Sequence, residues 1–172
     1  MVPKDDTMTE NTQELTKQNK LFVFEVNLNW ISKQKGFLSA KDAPGIIPVA
    51  APGVFGGTEK LWTPEHLFLS SISSCFMTTY LVFAKKFKFD IAGFECAING
   101  QVEIVDGKYQ FTQITIFPKI HVENESLREK AELALERTKK YCLISNSIKA
   151  EMIYHGEVTA KRQITESCCK FR

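Results

Sequence analysis

The sequence predicts an α+β domain: two long helices packed on one face of a mostly antiparallel sheet. Three observations lead there. Two segments repeat apolar residues at helical spacing behind recognisable start signals, at Thr63-Pro64-Glu65 and at Ser126 with Glu129 three residues on. The segments around Asp106-Gly107 alternate apolar and polar residues with period two, and that dipeptide is a hairpin turn signal. The resulting order is strand, loop, helix, hairpin, helix, strand, with no internal repeat.

Residues 1–19 are polar and are expected to form a disordered tail. "LFVFEVNLNW" alternates Phe22, Phe24, Val26, Leu28 and Trp30 with its other residues and reads as a half-buried strand. From Lys35 to Trp62 a short strand-like piece gives way to Pro44, Pro48, Pro52 and Gly56-Gly57, so a mostly irregular segment is expected. Thr63 is the expected N-cap, Pro64 takes the first helical position, and Glu65 complements the helix dipole. The helix they open carries the stripe Phe68, Ile72, Cys75, Phe76, Thr79, Tyr80 and Phe83, with Ser70, Ser71, Ser73 and Ser74 permitting close approach of a neighbouring backbone. A second helix, with Leu127, Ala131, Ala134, Leu135, Thr138, Tyr141 and Cys142 at helical spacing, is expected to end near "YCLISNS". One last strand, "IKAEMIYHGEVT", precedes a basic tail. The domain is placed at 20–158 and the second tail at 159–172.

Lys+Arg 22 against Asp+Glu 20 gives a formal net charge of +2. That balance predicts neither a nucleic-acid partner nor an anionic membrane surface. The first twenty residues contain no apolar signal-peptide core, and no run reads as a bilayer span, so a cytoplasmic protein is expected. His66, His121 and His155 are scattered without ligand spacing, and no metal or other cofactor is expected. The five cysteines, Cys75, Cys96, Cys142, Cys168 and Cys169, form an odd set that argues against a secreted disulfide framework and for free or redox-active thiols.

Cys75 lies in the apolar stripe of the first helix and Cys142 at the end of the second. If both helices pack on one sheet, the two thiols can approach closely enough for disulfide chemistry. Free cysteine also packs as an ordinary small hydrophobe, and Glu65 alone suits a helix N-terminus. Ten residues along the helix place Glu65 about 15 Å from Cys75, so the carboxylate does not reach the thiol in its own chain.

The segment "TPEHLFLSSISSCFMTTYL" resembles the signature of the OsmC/Ohr family, the osmotically inducible and organic hydroperoxide resistance proteins. There a Pro-Glu pair opens a central helix and a reactive cysteine follows ten residues beyond the Glu. "YCLISNS" is similar to the family's second motif, a C-x-x-S near the end of the next long helix. The resemblance covers roughly residues 20 to 158 and implies an OsmC-like fold assembled as an intertwined homodimer, each active site built from both subunits. It implies a thiol peroxidase in which Cys75 becomes a sulfenic acid, Cys142 resolves it as a disulfide, and Glu65 orients a catalytic arginine. It also implies organic hydroperoxides as substrates and a dithiol reductant of the lipoyl type, such as a lipoylated protein presents. Phe55, Phe68, Phe76 and Tyr80 are candidates to line the substrate pocket. No arginine precedes Arg128, so Lys33, Lys35, Lys41 and Lys60 are the available substitutes, each a point charge without an arginine's bidentate fork. The alternative is a catalytically weak relative that serves as a hydrophobic small-molecule binder or as a redox sensor in stress response.

Overall fold

The computed structural model of the protein describes residues 21–57 and 60–160. The expected tail at 1–19 and residues 161–172 of the one expected at 159–172, with Cys168 and Cys169, lie outside the described residues, whereas Thr159 and Ala160, placed in that tail, belong to the last strand. Among the described residues, two sheets and two α-helices make up the fold. The first sheet contains β1 (Asn27–Ser32), β2 (Lys35–Ala40) and β3 (Ala43–Ala50) in sequential antiparallel order. A one-turn 3-10 helix (Gly53–Phe55) leads to α1 (Pro64–Lys86). The hairpin β4 (Gly93–Val105) and β5 (Lys108–Val122) follows, then α2 (Arg128–Tyr141), β6 (Glu151–Tyr154) and β7 (Glu157–Ala160).

Several expectations are corrected. The segment from Lys35 onward, expected to be mostly irregular, is largely strand, although Pro44 and Pro48 lie within β3. Among the described strands β3 pairs with β2 alone, apart from a bridge between Val49 and Trp62 at its end, and an edge strand tolerates residues that lack an N–H because no neighbour needs the donor. The strand expected from Leu21 begins at Asn27 and is exposed on both faces rather than half-buried, with Phe24 just before it 88% and Trp30 74% exposed. The expected last strand is two strands, interrupted at His155-Gly156, and both pair with β5 in parallel. The second sheet is therefore mixed.

The start of α1 is as expected, and His66 adds a partner that the sequence did not single out. Thr63 accepts a hydrogen bond from the His66 N–H at 3.3 Å while the His66 ring accepts from the Thr63 N–H, so His66 completes the capping box. At α2 the expected Ser126–Glu129 box does not form. Ser126 donates to Asn124 instead, a 3-10 turn (Glu125–Leu127) precedes the helix, and Arg128 pairs with Glu125. The Asp106-Gly107 turn forms, both residues taking positive φ (50° and 74°) as the tight hairpin requires.

The core lies between the helices and the second sheet. Ile72, Phe76, Tyr80 and Ala84, four residues apart along α1, face Ile114, Ile116, Ile120 and Val122 of β5, with Ala131, Ala134 and Leu135 of α2 beside them. Each large side chain so buried contributes about 1.5–3 kcal/mol. The Tyr80 hydroxyl donates to the Ala131 carbonyl at 3.2 Å and ties the helices together. The other side of α1 is bare: Met77, Leu81 and Val82 are 37%, 41% and 64% exposed. By length and composition α1 could also cross a bilayer, which corrects the expectation of no such run, because nothing charged interrupts Leu67 to Ala84 and the serines only dilute it.

Candidate active site

α1 and α2 pack against each other, and their contact brings together the two cysteines that lie far apart in sequence. Cys75 is half-buried on the third turn of α1; Cys142, the C-cap of α2, has no exposed surface. Both are free thiols. At Cys142 the chain leaves the helix with ψ 114°, its N–H still bonded to the Thr138 carbonyl at 3.0 Å. The turn that follows is held at several points. Asn146 donates from its backbone to the Cys142 carbonyl and from its side chain to the Lys140 carbonyl, both at 3.0 Å, and the Ser147 hydroxyl donates to the Leu143 carbonyl at 2.9 Å.

The N–H groups of Leu143 and Ile144 are thereby directed at the Cys75 sulfur, and that of Ser145 at Cys142. Burial pushes the Cys75 thiol up. The Ile144 N–H, the Cys142 thiol, the Thr79 hydroxyl at 3.9 Å and the Leu143 N–H all donate toward its sulfur, and together they bring it below the ordinary value of 9.0. Cys142 moves the other way. Burial raises it most, the Ser145 hydroxyl and N–H oppose that, and the charge forming on Cys75 raises it further. Of the two thiols Cys75 therefore ionises the more readily and is the better placed nucleophile, while Cys142 holds its proton the more firmly. Cys96, on β4, is raised by burial to about 11 and has no such donors. Alkylation of the reduced protein with iodoacetamide should therefore modify Cys75 first, with a pH midpoint below 9.0, and Cys96 only toward pH 11. A Cys75 midpoint at or above that of an ordinary thiol would contradict the assigned environment.

Glu65 stands apart from this pair. It lies on the first turn of α1 and lines a separate cavity of about 630 Å³ with Val54, Phe55, His66, Tyr109 and Phe111. Its Oε2 atom is buried without a hydrogen-bond partner among the described residues. Of the four aromatic residues expected to line a pocket, Phe55 does so, and Phe68 stacks on Phe111 at 4.8 Å. Phe76 and Tyr80 do not; both are fully buried in the core. Lys33, Lys35, Lys41 and Lys60 form no ion pair with Glu65 within the described chain, and no cation is among the groups that lower Cys75. The donors that do act on Cys75 are mostly backbone amides, which no residue pattern reveals.

The sequence pattern of the OsmC-like protein family matches residues 57–154, more than half of the chain. The chain belongs to the OsmC family. No curated protein sequence matches it significantly. Solved structures share its fold at low identity. An OsmC-like protein of unknown function from Vibrio cholerae superposes with a TM-score of 0.69 at 18% identity, covering 79% of this chain and 99% of that one. An organic hydroperoxide resistance protein from Elizabethkingia anophelis gives 0.65 at 17% identity, covering 83% and 99%. The organic hydroperoxide resistance protein OhrB of Bacillus subtilis gives 0.58 at 19%, covering 81% and 100%. The OsmC fold accounts for the helix pair and for the sheet order around the two thiols.

Proposed function

We propose that the protein is a thiol peroxidase that reduces organic hydroperoxides. The observation that carries this reading is the pair itself: a half-buried thiol lowered by converging donors, facing a fully buried thiol that burial raises. The Cys75 thiolate attacks the terminal peroxide oxygen, the O–O bond breaks, and the alkoxide leaves as the alcohol after taking a proton; Cys75 becomes a sulfenic acid. Cys142 then displaces its hydroxyl to close the disulfide. The apolar core packed around Cys75 suits an organic peroxide better than hydrogen peroxide. A dithiol, of the kind a lipoylated protein presents, would restore both thiols.

A homodimer completes this reading. The first sheet leaves Leu28, Trp30 and Ile47 largely exposed, and α1 leaves Met77, Leu81 and Val82 exposed, more apolar surface than isolated residues explain. If two α1 helices cross antiparallel near Ser70, midway between Glu65 and Cys75, each Glu65 comes level with the partner's Cys75, across the close approach that Ser70, Ser71, Ser73 and Ser74 allow. The unpartnered Glu65 oxygen would then face the other chain.

The separate cavity beside Glu65, aromatic and without a cysteine in its lining, favours a second reading as a hydrophobic small-molecule binder. Mass analysis under non-reducing conditions separates the two. After one equivalent of an organic hydroperoxide, a peroxidase should lose two hydrogens between the peptides that carry Cys75 and Cys142. Cys142→Ser should instead gain one oxygen at Cys75. Unmodified thiols at both positions would reject the peroxidase and leave the binder.

A further inference from the structure

The two-cysteine chemistry leaves Ser145 without a task, although its placement is unusual. Its residue is 6% exposed, and its hydroxyl oxygen is buried with no hydrogen-bond partner among the described residues. Such groups are uncommon, because an unmade hydrogen bond in the interior is unfavourable. The hydroxyl lies beside the Cys142 sulfur and beside Tyr154 without reaching full hydrogen-bond geometry with either. The turn cannot swing it away, since the Asn146 and Ser147 N–H groups bond to the Cys142 and Ile144 carbonyls at 3.0 and 2.9 Å. The Ser145 N–H faces the same sulfur. Two donors therefore lie beside a sulfur whose ionisation burial opposes, an arrangement suited to an anion that forms later.

Resting on the peroxidase reading, we infer that Ser145 is a positioning residue for the Cys142 thiolate, which it holds both when that sulfur attacks the sulfenic acid and when it leaves during reduction. Oxidation turns the Cys75 thiolate into a neutral sulfenic acid and removes the negative charge that opposed ionisation of Cys142. Cys142 gives up its proton, and its thiolate attacks the Cys75 sulfur. The S–S bond forms as the S–O bond breaks, and the departing hydroxide takes up a proton and leaves as water, so that one proton lost from Cys142 is balanced by one gained. In reduction, a thiolate of the dithiol attacks Cys75, the sulfur with exposed surface, rather than Cys142, which has none. The S–S bond breaks with its electron pair going to Cys142, where Ser145 receives the charge, and a mixed disulfide remains on Cys75. The second thiol of the reductant resolves that bond, closes the reductant's own disulfide and releases the Cys75 thiolate.

The test compares wild type, Ser145→Ala and Ser145→Thr in the reduced full chain. One equivalent of organic hydroperoxide is added, and the reaction is quenched over time with dimedone and read by mass. Cys75 sulfenic acid should form at the same rate in all three. Disulfide closure should slow roughly ten- to hundredfold in the alanine variant, its pH profile moving to higher pH, and the threonine variant should recover most of the rate. Equal closure rates and profiles in alanine variant and wild type would overturn the role. So would a parallel loss of sulfenic acid formation, which marks a general support of the site. Neither sulfenic acid nor disulfide in wild type would overturn the peroxidase reading itself, and the role of Ser145 with it.

Discussion

Replacing Cys75 with serine should reduce consumption of an organic hydroperoxide, driven by a dihydrolipoyl reductant, to the uncatalysed background. Wild type should turn over and should prefer the organic substrate to hydrogen peroxide. A hydroxyl ionises far above the working pH, and the donors from Leu143, Ile144 and Thr79 that hold a thiolate do not bring an alcohol into range. The serine variant keeps the shape of the site, since the residue is only half-buried and the substitution changes little volume. A loss of activity can then be assigned to the sulfur. Turnover that persists in Cys75→Ser would sink the assignment. Wild type no faster than the variant would leave the OsmC fold without this chemistry and shift interest to the cavity beside Glu65.

Phe76→Ala should cost about 3–5 kcal/mol of stability. Phe76 has no exposed surface, stacks on Tyr154 at 5.8 Å, and sits one residue from Cys75. Removing the ring leaves a cavity between α1 and the second sheet, which a close-packed core fills only partly. The expected fall in Tm is about 10 °C. Leu133→Ala, on the outer side of α2 and 47% exposed, should change stability by about 0.5 kcal/mol or less. Urea unfolding at one fixed protein concentration checks both, since any self-association adds to apparent stability. A loss below about 1 kcal/mol for Phe76→Ala would mean that the core does not depend on that face of α1. The same variant should also disturb the cysteine pair, because Tyr154 borders Ser145 and Cys142.

Much of the fold could be read from local chemistry. Thr63, Pro64 and Glu65 announce the start of α1, Asp106-Gly107 announces the hairpin, and four-residue spacing selects Ile72, Phe76 and Tyr80 for the core. These signals are legible because they depend on a residue and its neighbours along the chain. Signals that depend on a partner strand misled. Pro44 and Pro48 argue for a loop until β3 is known to lie at an edge, and the split between β6 and β7 depends on parallel pairing with a distant β5. The expected capping box of α2 failed for a related reason: Asn124 was also within reach of Ser126, and a 3-10 turn took the place of the box.

The candidate site divides in the same way. The sequence by itself determined which residues are the candidates, since thiols at Cys75 and Cys142 and a carboxylate at Glu65 are properties of side chains at recognisable spacings. The tertiary structure alone decided what those groups can do. It brought two sulfurs together from helices far apart in the chain, aimed the Leu143 and Ile144 amides at one and the Ser145 amide and hydroxyl at the other, and so made the first the readier nucleophile. It also left Glu65 in a separate cavity in the same chain. The physical reason is that every residue has the same backbone N–H. Where a set of them converges is a matter of how the chain turns, which no single residue encodes.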